Sequence, residues 1–335
     1  MNPNPHDNKP RVSNATLWLV LAAAGIAAFT LALSFGAGTV WPTRWFASGS
    51  LDAELVRLWR APRVAAAFFV GACLSLAGLV FQGVFRNPLA EPYLLGSASG
   101  AAVGAAIALL LPAVVPPALS LPLLAFGGAW GASWLVLLVG RLGGEWQAGR
   151  LLLAGVALAA ILAALRSLIL MVYGDESTNL RAVLSWQLGG VQTPTPAEVA
   201  VLAAALAALV LLVRSLACGL DALGLGEDTA HSMGVRVPRF SAWAVLVASL
   251  ATALAVSWGG LIGFVGLIVP HLLRWWIGPL HARLVPACAV AGGILMVLVD
   301  GVARAALAPS EIPAGLLTAL IGGPFFLALL LWRRA

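Results

Sequence analysis

The sequence predicts an all-α membrane protein of about ten transmembrane helices, on three observations. Hydrophobic residues make up 61% of the 335-residue chain and charged residues only 10%, and the mean hydropathy is +0.99. Apolar runs of about 20 residues recur along the whole length, the length a helix needs to cross a ~30 Å hydrocarbon core at ~1.5 Å per residue. Arginines gather at the ends of these runs. No polar tract is long enough for a second domain. Residues 15–335 therefore read as one transmembrane domain behind a polar cytoplasmic tail, 1–14, which carries Lys9 and Arg11.

Taken in order, the first span covers 15–37, too long for the core of a signal peptide and without a cleavage site. Further spans follow at 62–84, 93–112, 118–140, 150–173, 194–214, 238–257, 260–277, 283–303 and 313–332. Between the second and third, Asn87-Pro88 and Glu91-Pro92 form a rigid corner with Arg86 and Glu91 at its ends. Each proline lacks an N–H donor and drives the residue before it out of the helical region. Segment 174–193 mixes polar and apolar residues and reads as a short helix on the outer surface, with Trp186 at the interface. Segment 215–239 is the longest polar stretch on the inner side. Its acidic start, Glu227-Asp228, suits the positive end of a helix, and Gly226 and Gly234 bracket Glu227 to Met233 as a short helix clear of the membrane. Gly259, Gly260, Gly263, Gly266 and Pro270 weaken any straight helix through 257–271. Non-helical backbone at membrane depth survives only against protein or water, so this stretch either lines a gate or packs closely on a neighbour.

An even number of spans puts both termini on one side. With the termini inside, twelve cations fall at inner ends (Lys9, Arg11, Arg86, Arg141, Arg150, Arg214, Arg236, Arg239, Arg274, Arg283, Arg333 and Arg334) against seven elsewhere, the positive-inside bias. Arg60-Ala-Pro-Arg63 opens the second span and Arg236-Val-Pro-Arg239 opens the seventh, 176 residues later. An offset of five spans inverts the second copy, so the match reads either as an inverted repeat of the transporter kind or as coincidence.

Several function classes drop out. The net charge of +6 follows from arginines at span ends, a topology signal rather than a nucleic-acid surface. Cys73, Cys218 and Cys288 are far apart and make neither a disulfide framework nor a metal knuckle. Lys9 is the only lysine and no G-x-x-x-x-G-K-[ST] surrounds it, so no phosphate-cradling loop exists in this sequence and any ATPase is another subunit. All thirteen acids lie in tails, loops or span ends, Asp300 and Glu311 coming nearest to the interior. That disfavours the rival reading, an ion-coupled secondary transporter of a small organic solute, which needs ionisable groups within the membrane. His271 stands without a carboxylate beside it, and no His/Asp/Glu cluster shares one depth as a membrane-embedded enzyme requires. Arg166 lies within the fifth span, either snorkelling to the outer interface or lining a path for an anionic cargo. Arg57, Arg60 and Arg63, joined by Arg304, Asp300 and Glu311, place cations at the outer mouth against the topological trend. They serve either an acidic docking partner or lipid headgroups.

These residues in this order resemble the FecCD-type family, the permease subunits of ABC importers for iron–siderophores, haem and cobalamin. The motifs are Arg60-Ala-Pro-Arg63, Gln82-Gly83, Arg86-Asn-Pro-Leu-Ala-Glu-Pro92, Leu223-Gly-Leu-Gly226, Met233-Gly234-Val235, Gly263-Phe-Val-Gly-Leu-Ile-Val-Pro-His271, and Asp300 through Arg304, Glu311-Ile-Pro313 and Gly322-Gly-Pro324. The resemblance spans residues 55 to 332. It implies the type II ABC importer architecture: ten helices per subunit and a dimer, formed with a second permease copy or a paralogue around a central path. It also implies alternating access, two cytoplasmic ATPases using ATP and magnesium, a periplasmic binding protein, and no cofactor on this chain. The location implied is the bacterial inner membrane, with both termini cytoplasmic. Carried over by position, Arg60, Arg63 and Arg304 receive acidic residues of the binding protein. Segment 221–235, with Gly224, Gly226, Glu227, Asp228, Met233 and Gly234, presses on the ATPase. Asn87, Pro88, Gly263, Gly266, Pro270 and Arg166 belong to the path and its gates. Arg166 departs from the small or hydroxyl residue usual in the family, and Gly323 stands where alanine is commoner. The cargo stays open among siderophore, haem and cobalamin chelates.

Overall fold

A helix that is apolar on every face is stable only when every face is covered, and residues 61–84 make such a helix at the centre of the molecule. The structure, a computed structural model, describes residues 12–36, 38–47, 49–110, 117–142, 148–174 and 179–332. Most of the expected tail 1–14, including Lys9 and Arg11, lies outside the described residues. The elements are α1 (Asn14–Ser34), α2 (Leu51–Leu55), which runs through a π-helical turn (Val56–Arg60) into α3 (Ala61–Val84), α4 (Ser97–Leu110), α5 (Pro117–Leu142), α6 (Ala148–Tyr173), α7 (Asn179–Gln187), α8 (Pro196–Ser215), α9 (Ala217–Gly224), α10 (Glu227–Ser232), α11 (Val237–Gly259), α12 (Val265–Ile277), α13 (His281–Ala305) and α14 (Ala314–Trp332). Among the described residues, seven helices are long and apolar enough to cross a membrane, and three shorter apolar ones (in α4, α12 and α14) complete the ten.

Helix α3 is enclosed by α8, α11, α12 and α13, while α4, α5 and α6 form a second group against α11. Between apolar helices in lipid, attraction depends on backbones coming close, which small residues permit. A Cβ on Gly292 of α13 would lie 2.5 Å from the carbonyl oxygen of Gly71 in α3, and Gly100 of α4 meets Gly128 of α5 in the same way. The outermost helices are α1, α6 and α8, only 22%, 6% and 17% buried over their apolar windows. Their bare leucines and valines need lipid or a partner chain.

One expected span is not a full crossing. Helix α12, in place of 260–277, has 13 residues, about 20 Å at ~1.5 Å per residue, while α4 runs to Leu110, where this stretch of described residues stops. Each follows a residue in the left-handed region, Gly96 (φ 74°) before α4 and Phe264 (φ 68°) before α12. Each also follows a full-length helix opened by an Arg-x-Pro-Arg motif, α3 and α11, which carry Pro62 and Pro238 in their first turns. Helices α3 and α11 pack antiparallel: Val70 in the first half of α3 meets Gly259 at the end of α11, and Arg86, just past α3, bonds Glu227 ahead of α11. The echo noted in the sequence thus recurs as a Pro-opened long helix followed, past a left-handed residue, by a second helix, in opposite direction.

Trp186 also departs from expectation. It sits on α7 as foreseen, yet it is buried among Ala101, Ala105, Ala125 and Val256 instead of lying at an interface. Alanines on three helices open a slot large enough for an indole. The backbone N–H of Val12 bonds the carbonyl of Trp276 at 3.3 Å, and Phe325 of α14 lies edge-on to His271. The start of α1 and the end of α14 therefore share the end of the bundle where α12 finishes.

Candidate functional site

At the bundle end where α1 finishes and α3 begins, three arginines and two acids meet. The last carbonyls of any helix lack partners within it, and α1 has no glycine cap. Arg60 donates to the carbonyls of Leu33 and Ser34 at 2.8 Å each and of Gly38 at 2.6 Å. Arg304 donates to the carbonyl of Ala32 at 2.8 Å and to Asp300 Oδ2 at 2.9 Å. Both arginines are only 5% exposed. Arg60 and Arg304, expected from the resemblance to be docking cations, turn inward and cap α1, where cations complement the negative helix end. Arg63 bonds Asp300 Oδ1 at 3.1 Å and forks both oxygens of Glu311 at 3.1 and 2.7 Å. Asp300 is 1% exposed, a buried carboxylate hydrogen-bonded by two guanidiniums.

At mid-depth the loops leading into α4 and α12 satisfy each other. Glu91 Oε1 accepts from the N–H of Phe264 at 2.8 Å. The Tyr93 hydroxyl donates to the carbonyl of Ile262 at 2.9 Å and accepts from its N–H at 3.1 Å. These side chains answer the backbone groups that a helix break leaves open inside a membrane protein. Gly263 lies beside Glu91, and Pro270 is buried within α12. Gly266 abuts Gly78 of α3, and a Cβ on it would lie 2.6 Å from Leu74 O. Of the two readings of the glycine run, close packing is the one the structure gives Gly266, and the helix break falls at 260–264. Gln82 donates to the carbonyls of Gly266 and Leu267 at 3.2 and 3.4 Å and accepts from Arg274.

At the opposite end, α3 closes with Arg86 in the left-handed region (φ 49°) and the N–H of Asn87 reaching back to Gln82 O at 3.1 Å, a helix stop normally made by glycine. Asn87 Oδ1 then accepts from the N–H of Leu89 at 3.0 Å. Asn87 is exposed and Pro88 half-buried. Across from them α9 packs on α3 and α13 through Leu220, and α10 extends beyond it. Gly224 ends α9, Gly226 (φ 117°) starts α10, Glu227 and Asp228 fill its first turn, and Met233 (62% exposed) and Gly234 (φ 86°) follow it. Three bonds tie α9 and α10 to the neighbouring helices. Arg86 meets Glu227 at 2.8 Å, and the N–H and Nδ1 of His281 meet Asp221 Oδ1 at 3.0 and 2.6 Å. Burial raises the Asp221 pKa, but the bonds from His281 outweigh it and hold that carboxyl below its ordinary range. A cavity of about 470 Å³ lies among these parts, bordered by Gln82, Pro88, Gly224, Arg274 and His281.

The structure therefore brings Pro88 and Gly224, gate and coupling residues of the sequence reading, to one cavity. Arg166 is elsewhere, half-buried on α6 and donating to Gln187 of α7 at 3.3 Å. Sequence reasoning placed Gln82 in a motif and Asp221 in the coupling segment but missed their partners Arg274 and His281, and the Glu91–Phe264 and Tyr93–Ile262 bonds. The available signal was Gln82, an amide inside an otherwise apolar run, which needs a partner in the interior. Among the described residues no cluster of His, Cys, Asp or Glu could hold a metal ion.

Comparison with known proteins bears on this arrangement. A profile described as the FecCD transport family matches residues 23–332. The hemin transport system permease protein HmuU of Yersinia pestis is 35% identical over 97% of both chains. The Fe(3+) dicitrate transport system permease protein FecD of Escherichia coli is 37% identical over 95% of this chain and 98% of its own. The cobalamin import system permease protein BtuC of Halobacterium salinarum is 42% identical over 81% of this chain and 72% of its own. A solved structure described as an inward-facing conformation of a metal-chelate type ABC transporter superposes with a TM-score of 0.81 at 29% identity, covering 95% of this chain and 99% of the other.

Proposed function

This chain belongs to the FecCD transport family, and from that premise we propose that it is the membrane-spanning permease of an ATP-driven importer carrying a metal chelate into the cytoplasm. Haem, cobalamin and ferric dicitrate are the cargoes named for its relatives, and a chelate of this class is the proposed cargo here. The chain does no bond chemistry. ATP and magnesium act on partner ATPases, a periplasmic binding protein delivers the cargo, and two permease copies or paralogues enclose the path by alternating access in the bacterial inner membrane. Both termini are assigned to the cytoplasm.

The observation that carries this reading is the exposed helix α10, joined to the bundle through α9. Glu227, Asp228 and Met233 are exposed beyond the bundle, while Asp221 and Glu227 anchor the pair to the ends of α13 and α3. A subunit pressing on Gly224 to Gly234 would thereby shift the cavity walls at Gln82, Pro88 and Arg274. Asn87 and Pro88 act as the inner gate. The bonded loops at Glu91, Tyr93 and Gly263 form the pivot, with Gly266 and Pro270 fixing α12 against α3. At the other end the Arg60–Arg63–Arg304 cluster is the proposed seat for acidic residues of the binding protein. Arg63 and Glu311 form its accessible part, and Arg60 and Arg304 form its frame. Arg166 is assigned to the outer part of the path.

The test is uptake by proteoliposomes holding the permease with its ATPase and binding protein, assayed with haem, a ferric siderophore and cobalamin. ATP-dependent accumulation of one chelate, unaffected by a protonophore, is expected. Accumulation that collapses with protonophore while ATP is retained would mark an ion-coupled carrier instead.

A further inference from the structure

Arg274 stands in the last turn of α12, half-buried on the wall of the cavity of about 470 Å³ beside Pro88 and Gly224. Among the described residues its one hydrogen-bond partner is the Gln82 amide oxygen, a neutral group, and it enters none of the ion pairs. A guanidinium is a fork of several N–H donors. Those of Arg274 left without a partner are not sealed off, so they open to the cavity. The other charged groups on the wall are already paired, Asp221 with His281 at 2.6 Å and Arg86 with Glu227 at 2.8 Å. A cation drawn out of bulk water without a counter-ion is costly, and an anion entering beside it removes that cost.

The depth and walls of the cavity say which anion fits. Gln82 and Gly83 lie in the last turn of α3, Arg274 in that of α12, and His281 opens α13. Three helices thus end or begin at one level, where the chain leaves the hydrocarbon core. Trp275 and Trp276, next along from Arg274, are both exposed, the usual place of tryptophan at a membrane–water boundary. Leu220, Leu225 and Leu280 make much of the remaining wall apolar. A cation among apolar walls at this level suits an amphiphilic anion. We propose that the cavity holds the headgroup of an anionic phospholipid, with Arg274 forking its phosphate and its glycerol lying against Leu225 and Leu280. Planar guanidinium matches phosphate in two-point geometry, and basic pockets between helices at a membrane face take such headgroups. The inference needs only that the chain spans a membrane, and it stands apart from the cargo and from the role of the ATPase.

The test uses the full chain purified in detergent and titrated with phosphatidylglycerol or phosphatidylethanolamine, bound lipid being counted by native mass spectrometry. The wild-type chain is expected to hold phosphatidylglycerol several-fold more tightly than phosphatidylethanolamine. Arg274→Gln, which can still bond Gln82, should weaken that retention about tenfold, the loss of one charge-assisted pair. Arg283→Gln, at an exposed cation of the same end outside the cavity, should leave it unchanged. Leu280→Trp fills the cavity and keeps Arg274, so its loss of phosphatidylglycerol should follow even if position 274 tolerates no change. Wild-type retention in both cavity variants would overturn the proposal, and equal loss in Arg283→Gln would mark diffuse attraction instead of a site. Displacement of the lipid by millimolar inorganic phosphate would mark a free-anion site. Modification of Arg274 by phenylglyoxal, mapped by mass, that the ATPase blocks and phosphatidylglycerol does not would assign the cavity to the partner subunit and overturn the proposal as well.

Discussion

Arg63 shows how a single side chain changes the design of a test. Charge reversal at Arg60 would place a carboxylate among the carbonyls of Leu33, Ser34 and Gly38, so lost transport would then report a broken clamp rather than lost docking. Arg63→Gln removes the charge yet keeps a donor toward Asp300, which Arg304 still pairs. Affinity for the binding protein is expected to fall several-fold at low salt in this variant. It is expected to rise in Glu311→Gln, which frees Arg63 of its exposed competitor. Titration by surface plasmon resonance at two ionic strengths reads both signs, because charges at an interface rim act mainly through screened, long-range attraction. Asp221 gives a pH prediction. Its carboxyl is held below the ordinary value of 3.8 by His281, so its contribution is fully present above that value and is lost as pH falls through the lower, folded pKa. Hydrogen exchange of 221–235 should therefore be unchanged from pH 7 to 5 and quicken below about 4, after correction for the intrinsic rate. Asp221→Asn should remove that acid step.

At the scale of elements, the two interrupted helices decide the character of the fold. Helices α4 and α12 each begin inside the bundle, behind a left-handed residue, with loops bonded to one another through Glu91 and Tyr93. Helix α12 is set by one crossing, Gly266 on Gly78, where no Cβ fits on either side. Overfilled packing costs about 1–3 kcal/mol and more where backbone must move. Gly78→Val should therefore lower the unfolding temperature of the detergent-purified protein and reduce the folded yield. Gly127→Val, at a glycine facing open space, should do neither. Equal loss in both variants would show that valine is disfavoured by lipid context rather than by this crossing.

At the scale of the whole molecule, the two ends are linked by long helices with polar fastenings. Helix α3 carries Arg63 at one end and is followed by Arg86 at the other, and α13 carries Arg304 and His281 at its two ends. A push on α9–α10 would reach the far end along these two helices only while Asp221 holds His281. His281→Ala in the reconstituted complex should therefore leave ATP hydrolysis within about two-fold and lower chelate uptake by a larger factor, so that more ATP is used per molecule carried. Parallel measurement of phosphate release and uptake checks this. Equal falls in the two rates would show lost assembly instead of lost transmission.

Composition and period were enough for the all-α class, the ten apolar segments and the projecting Glu227–Met233 helix, because hydrophobic length and helix-end chemistry act locally along the chain. The Arg-x-Pro-Arg echo was visible too, as were the corner at Asn87-Pro88 and the break near Gly260. Sequence could not reveal which arginines face outward. Arg60 and Arg304 have the same local pattern as a docking cation, and only the approach of the end of α1, more than twenty residues from one and far more from the other, supplies the carbonyls that turn them inward. Nor could it show that Glu91 answers Phe264, Gln82 answers Arg274 or Asp221 answers His281. Those pairings join residues 60 to 192 positions apart. Local sequence determined what must be apolar and where helices stop. Partners for buried polar groups were decided by tertiary packing, since a buried donor or acceptor is satisfied by whatever the fold brings within about 3 Å.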